Sequence, residues 1–174
     1  MSPAGCKLRG MTDVRLRPWA ADDHSLLVAT NAPEMTEHLG GPETEEKLRE
    51  LHERYLLDAN QMFVVELAGE TVGSIGYWPR EWQGEDVYET GWGILPAYQG
   101  RGLAVAAATV LVQVGRRDGD RRWLHAYPSA EHPASNAVCR KAGFTLVGPI
   151  SFEYPRGTWL TSNGWRIDLH ADVG

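Results

Sequence analysis

Residues 87–110, VYETGWGILPAYQGRGLAVAAATV, constrain the chain more than any other stretch. The opening alternates as a strand does, the close is an apolar run of small residues at helical spacing, and two glycines flank Arg101 between them. A helix beginning there aims its first unpaired N–H groups and the positive end of its dipole at the glycine turn, which makes the turn an anion site. Glycine lets a phosphate oxygen approach the backbone, and Arg101 can add a charge-assisted contact, so Gln99, Gly100, Arg101, Gly102, Leu103 and Ala104 form a candidate phosphate cradle. Taken alone, the turn could equally be a glycine cap on a helix. Two nucleotide motifs are excluded: GxxxxGK[ST] is absent, and Val105 stands where the third glycine of GxGxxG would be.

The strand before the turn narrows the choice. Alternation places Val87, Glu89, Gly91 and Gly93 on one face and Tyr88, Thr90, Trp92 and Ile94 on the other. Glycines at period two weaken a strand, so a face bare beyond one carboxylate suggests a ligand or second chain lying against it, its phosphates ending at the helix mouth. The small Ala104, Ala106, Ala107 and Ala108 let the following helix lie close to the sheet.

The other elements follow from periodicity and caps. Strands are expected at 14–19, 62–67, 71–78, 87–95, 123–127, 144–150 and 165–170, and helices at 20–30, 43–57, from the glycine turn to near Gly115, and at 133–142. Residues 31–42 and 77–83 read as loops, the second carrying Trp78 and Trp82. Ala68-Gly69-Glu70 reads as a hairpin turn, and Pro133 with Gly143 brackets the last helix. Strands joined mostly by hairpins predict an α+β fold on a mixed, mostly antiparallel sheet of about seven strands with about four helices. Residues 1–10 read as an extension, with Met11 an alternative start, and 11–174 as one domain.

Composition removes several classes. The net charge is −6 with no basic run, which argues against nucleic acid and anionic membrane surfaces and suits a cationic partner. Cys6 and Cys139 form no CxxC pair, so neither a disulfide framework nor a metal site is indicated, and a reducing cytoplasm is expected. No apolar run approaches the length of a membrane span or signal peptide.

ETGWGILPAYQGRGLA followed by ASNAVCRKAGF resembles the GNAT superfamily of acyl-CoA-dependent N-acetyltransferases. Gln99, Gly102 and Ala104 fit its Q/R-x-x-G-x-G/A pyrophosphate motif. Ser135-Asn136 with Lys141 and Gly143-Phe144 resembles its second cofactor-side helix. The likeness is strongest to the group holding ribosomal-protein N-terminal acetyltransferases, which also includes enzymes acting on antibiotics and polyamines. It implies acetyl-CoA as cofactor, a pantetheine arm along Trp92, Gly93, Ile94 and Leu95, pyrophosphate on the N–H groups of 100–104, and a cofactor contact by Asn136. Two positions depart from the pattern: His132 replaces a frequent asparagine, and Cys139 a tyrosine that protonates the leaving thiolate in many members.

Acetyl transfer to an amine needs a proton acceptor, a polarised carbonyl and a proton for the departing thiolate. Glu89 is the expected base, the plainer alternative being a surface carboxylate or ion pair. His125 on the neighbouring strand is a second candidate, though such a histidine is more often packed in a core. A backbone N–H near Ile94 would polarise the carbonyl. Ser135 is the expected donor to the sulfur, against a helix-start cap. A Cys139–His132 nucleophile pair fails, because residues seven apart on a helix lie roughly 10 Å apart along its axis. Glu34, Trp78 and Trp82 are expected to meet substrate, since aromatics with carboxylates suit an ammonium group. The acceptor is expected to be a small cationic amine or a protein N-terminus. The α-amine is slightly favoured, because its pKa of about 7.7–8.0 demands less deprotonation than the roughly 10.4 of lysine. A homodimer remains open, and the rival reading is a catalytically silent acyl-CoA sensor, against which Glu89 argues.

Overall fold

Apolar residues at period two generate the strands of a sheet covered by helices on both faces. The computed structural model describes residues 13–57, 61–153 and 156–172, so the expected 1–10 extension lies outside the described residues. Its strands are β1 (Val14–Pro18), β2 (Gln61–Leu67), β3 (Glu70–Trp82), β4 (Glu85–Ile94), β5 (Trp123–Ala126), β6 (Thr145–Glu153) and β7 (Trp159–Asp168). They form one seven-stranded sheet in the order β1-β2-β3-β4-β5-β7-β6. Every neighbouring pair is antiparallel except β4 and β5, which run parallel. That parallel pair requires a crossover, supplied by α4 (Leu103–Asp118).

One face of the sheet buries Phe63, Val65, Ile75, Tyr77 and Tyr88 under α4, whose Ala107, Ala108 and Leu111 let helix and sheet approach closely, and under α5 (Pro133–Lys141). The opposite face carries Met62 and Val64 beneath Trp19, Leu26 and Leu27 of α1 (His24–Thr30), and Leu48 of α3 (Glu45–Tyr55). Thr44 caps α3 by accepting from the Lys47 N–H at 3.2 Å, and Glu45 and Glu46 face the positive end of its dipole.

Three expectations change. Trp78 and Trp82 stand in β3, which continues to a two-residue turn at Gln83 (φ 50°) and Gly84 (φ 79°), both in the left-handed region that tight hairpins use. Pro79 is tolerated there because β2 pairs with β3 only as far as Tyr77, so no ladder partner on that side needs the missing N–H. β7 begins at Trp159 rather than at residue 165 and ends at Asp168; pairing with β6 organises its polar first half. The expected 31–42 loop contains a short helix, α2 (Pro33–Thr36), with proline in its first turn, so the described residues hold five α-helices rather than four.

Candidate functional site

β4 and β5 pair through only three positions, Tyr88 with Leu124, Glu89 with His125 and Thr90 with Ala126. Among the described residues no strand lies beside the β5-side edge of β4 beyond Thr90. The Leu95 N–H donates to the Val72 carbonyl at 2.8 Å, so alternation turns the N–H groups of Trp92 and Ile94 the other way, into the gap. The Ile94 carbonyl on that side accepts from Gln99 Nε2 at 2.9 Å, which fixes the strand end to the glycine turn.

Two cavities meet at this gap. One of about 480 Å³ runs from the strand end past the glycine turn to α5, where Ser135 and Lys141 line it. Another, of about 590 Å³, lies over Trp78, Glu89, Gly91 and Tyr127. Met35, His38, Trp92, Gly93, His132 and Ser135 line both, so the two form a channel with a seam. The glycine face of β4 is partly covered by the protein itself: a β-carbon at Gly91 would meet Trp78 at 3.0 Å, and one at Gly93 would meet Met35 at 3.4 Å.

The turn fits a pyrophosphate. Gly100 (φ 77°) and Gly102 (φ 74°) are left-handed, and among the described residues nothing beyond their own chain neighbours lies within 4 Å of where their β-carbons would stand. Gly102 is the N-cap of α4 and no side chain caps that end, so the helix's first N–H groups are not claimed by a capping side chain. Trp92, Gly93, Ile94, Gln99, Gly100, Gly102, Leu103 and Ala104 all line the first cavity.

Three expected cofactor residues are placed elsewhere. Leu95 spends its N–H on Val72 and packs its side chain in the core over β2. Arg101 lays its guanidinium over the Tyr98 ring, 5.6 Å from the centroid, and lines neither cavity. Asn136 is buried, and its amide is fully committed. It donates to the carbonyls of Ser129 at 2.9 Å and His132 at 2.8 Å, and accepts from Asn163 and from Trp165 Nε1, both at 2.9 Å. With both donors and both lone pairs used, it clamps α5 to β7 instead of reaching a ligand.

On α5, His132 is the cap: its Nδ1 accepts from the Ser135 N–H at 3.3 Å. Ser135, whose side chain is not the cap, lines the seam. Cys139 turns into the core, fully buried, and burial pushes its thiol up to about 12, so it is neither nucleophile nor acid at neutral pH. His132 stacks on His38, ring centroids 4.3 Å apart, and burial together with His38 holds it below the ordinary histidine range. His38 Nε2 lies 3.3 Å from a carboxylate oxygen of Glu37.

Glu89 is held on one oxygen. Its Oε2 accepts from Arg80 at 2.6 Å and from Trp78 Nε1 at 3.2 Å, while Arg80 also lies over the Tyr127 ring, 4.8 Å from its centroid. His125 lines neither cavity. Its Nδ1 shares a 2.8 Å hydrogen bond with the Tyr127 hydroxyl, and burial, with help from Arg166 and Arg80, lowers it to about 4. It is thus the packed histidine and a poor proton acceptor. Burial raises Tyr127 to about 12. Of the expected substrate residues, Trp78 lines the second cavity and Glu34 the first. Trp82 lines neither and packs 5.4 Å from Tyr127. His38, Arg80 and Tyr127 escaped the sequence reading; the pairing of β3 with β4 brings Arg80 to the site, that of β5 with β4 brings Tyr127, and the seating of the 31–42 segment brings His38.

The chain matches the acetyltransferase (GNAT) domain model over residues 13–145 and belongs to that family. It is an N-acetyltransferase of the family whose acyl donor is acetyl-CoA. A GNAT acetyltransferase from Bacillus anthracis superposes with a TM-score of 0.75 at 25% identity, covering 91% of this chain and 96% of that one. The Salmonella typhimurium acetyltransferase that modifies the N-terminal serine of ribosomal protein L7/L12 superposes with a TM-score of 0.75 at 22% identity, covering 90% and 95%. Spermidine N-acetyltransferase from Vibrio cholerae, in complex with CoA and spermine, gives a TM-score of 0.75 at 18% identity, covering 90% and 96%. No curated protein sequence matches the chain.

Proposed function

We propose that the chain transfers an acetyl group from acetyl-CoA directly to a primary amine, either a small cationic amine or a protein N-terminal α-amine, in the cytoplasm. The observation that carries this is the meeting of the two cavities at Trp92 and Gly93, where the β4 edge is unpaired and a thioester and an amine can come together. Bound acetyl-CoA supplies an activated acyl thioester. The N–H groups at the mouth of α4, with Lys141 across the cavity, hold its phosphates, and the inward N–H groups of Trp92 and Ile94 hold the arm and orient the carbonyl.

Glu89 accepts the amine's proton through Oε1, directly or through water, while Arg80 and Trp78 fix the carboxylate by Oε2. Ser135 Oγ gives a proton to the departing sulfur and recovers one from solvent. In sum, an N–C bond forms, a C–S bond breaks, the amine loses a proton and the thiolate gains one. The test is free-thiol release from acetyl-CoA with an amine and peptide panel. Glu89→Gln should lower turnover by about 10² while leaving acetyl-CoA affinity near the parent value. Unchanged turnover removes Glu89 from the reaction, and no thiol release with any amine favours the silent sensor.

A further inference from the structure

One end of the acceptor cavity is polar and the other is rich in aromatic side chains. His38, His132 and Ser135 cluster at the seam it shares with the cofactor cavity. Away from the seam its walls come from α3, β3, the segment after β5 and the β6–β7 hairpin, through Tyr55, Trp78, Tyr127, Phe152 and Leu160. Four aromatic side chains therefore surround the part of the cavity that holds whatever the amine is attached to. Among the described residues two carboxylates line this cavity, Glu43 and Glu89, and the charge of Glu89 is offset by the Arg80 guanidinium 2.6 Å away. Glu34 and Glu37 line the cofactor side instead.

A second ammonium among Tyr55, Trp78, Tyr127 and Phe152 would meet ring faces and a Glu89 already paired with Arg80, while Glu43 stands before the start of α3, roughly 15 Å along its axis from Tyr55, so the lost hydration is only partly compensated. An uncharged body of aromatic size gains from the same walls by losing apolar surface to them, and ring-on-ring contact adds to that.

Resting on the amine acetyltransferase reading, we infer that the acceptor is a monoamine carrying an apolar body of aromatic size, an arylalkylamine in chemical class, and not a polyamine. The amine sits at the seam and the ring among Trp78, Tyr127 and Phe152. The volume of about 590 Å³ accommodates such a molecule with room for a bicyclic ring.

The experiment measures kcat/KM by thiol release from acetyl-CoA with 2-phenylethylamine, tryptamine, n-butylamine, 1,4-diaminobutane, spermidine and a serine-initiated peptide amide. The two arylalkylamines should exceed n-butylamine by about tenfold or more, and n-butylamine should exceed both polyamines. Leu160→Glu, which places a carboxylate on the apolar wall, should shift the ratio of 1,4-diaminobutane to 2-phenylethylamine upward by about tenfold or more. Spermidine, 1,4-diaminobutane or the peptide matching or exceeding the arylalkylamines overturns the inference while leaving the amine acetyltransferase reading standing. So does an unchanged ratio in Leu160→Glu with the parent melting temperature. No reaction with any amine, while acetyl-CoA still raises the melting temperature, overturns the acetyltransferase reading and the inference with it.

Discussion

His125 should make the fold acid-sensitive in a window set by its own burial. The residue is only 3% exposed, its Nδ1 is tied to Tyr127, and its Nε2 has no hydrogen-bond partner among the described residues, so the folded state resists protonation there and the value falls from 6.5 to about 4. The unfolded chain carries an ordinary imidazole and takes up the proton first as pH falls. Stability is therefore unaffected by this group well above pH 6.5 and declines as pH drops from there toward 4, below which both states are protonated. Two-state linkage with those two values gives a loss of about 2 kcal/mol between about pH 7.5 and about pH 5. For a chain of this length that corresponds to a fall of roughly 4–8 °C in melting temperature. His125→Gln keeps a partner for Tyr127 and does not titrate, so subtracting its profile removes what the other titrating groups contribute. Urea unfolding of parent and variant at both pH values supplies the four free energies. The parent should lose about 2 kcal/mol more than the variant; parallel profiles would mean that the pocket accepts the proton and that His125 is not buried neutral.

Gly102→Val puts a branched side chain on a left-handed residue that faces the open side of the turn, which should cost roughly 1–2 kcal/mol of stability and abolish the rise in melting temperature produced by CoA; retained stabilisation by CoA would refute the anion site. Asn136→Ala should cost roughly 2–4 kcal/mol, measured by urea unfolding, because four hydrogen bonds and their buried partners are lost, while isothermal titration should find acetyl-CoA affinity little changed. Cys139 should resist alkylation at neutral pH until the chain is unfolded, as read by peptide mass spectrometry, since its thiol is fully buried and pushed up to about 12. Cys139→Tyr should overpack the α4–α5 interface at a cost of roughly 1–3 kcal/mol, not restore a proton donor, and a melting temperature at or above the parent's would contradict that.

What was legible in the sequence was local. The QGRGLA turn, the small-residue helix behind it and the bracketing of α5 by Pro133 and Gly143 each follow from neighbours a few residues away, and the structure has them where spacing put them. The site's electrostatics are not local. Glu89 was legible as a lone carboxylate on a glycine-rich face, yet its partner Arg80 comes to it across a hairpin whose length the sequence concealed, because Pro79 reads as a loop residue until β2 is known to stop pairing at Tyr77. Ser135 and Asn136 stand side by side in the sequence and look equally able to reach a cofactor. One helical step separates their directions by about 100°. That step leaves the Ser135 side chain at the seam and carries the Asn136 amide against Asn163 and Trp165 of β7, a strand whose first half was itself unread. The same geometry accounts for His132: its ring both caps α5 and stacks on His38, a pairing that needs the segment after α2 folded over the channel. Residue type and spacing therefore told which chemistry the chain could perform, while the choice between adjacent candidates was made by the direction in which each helix residue leaves the backbone and by what the opposite wall offers it.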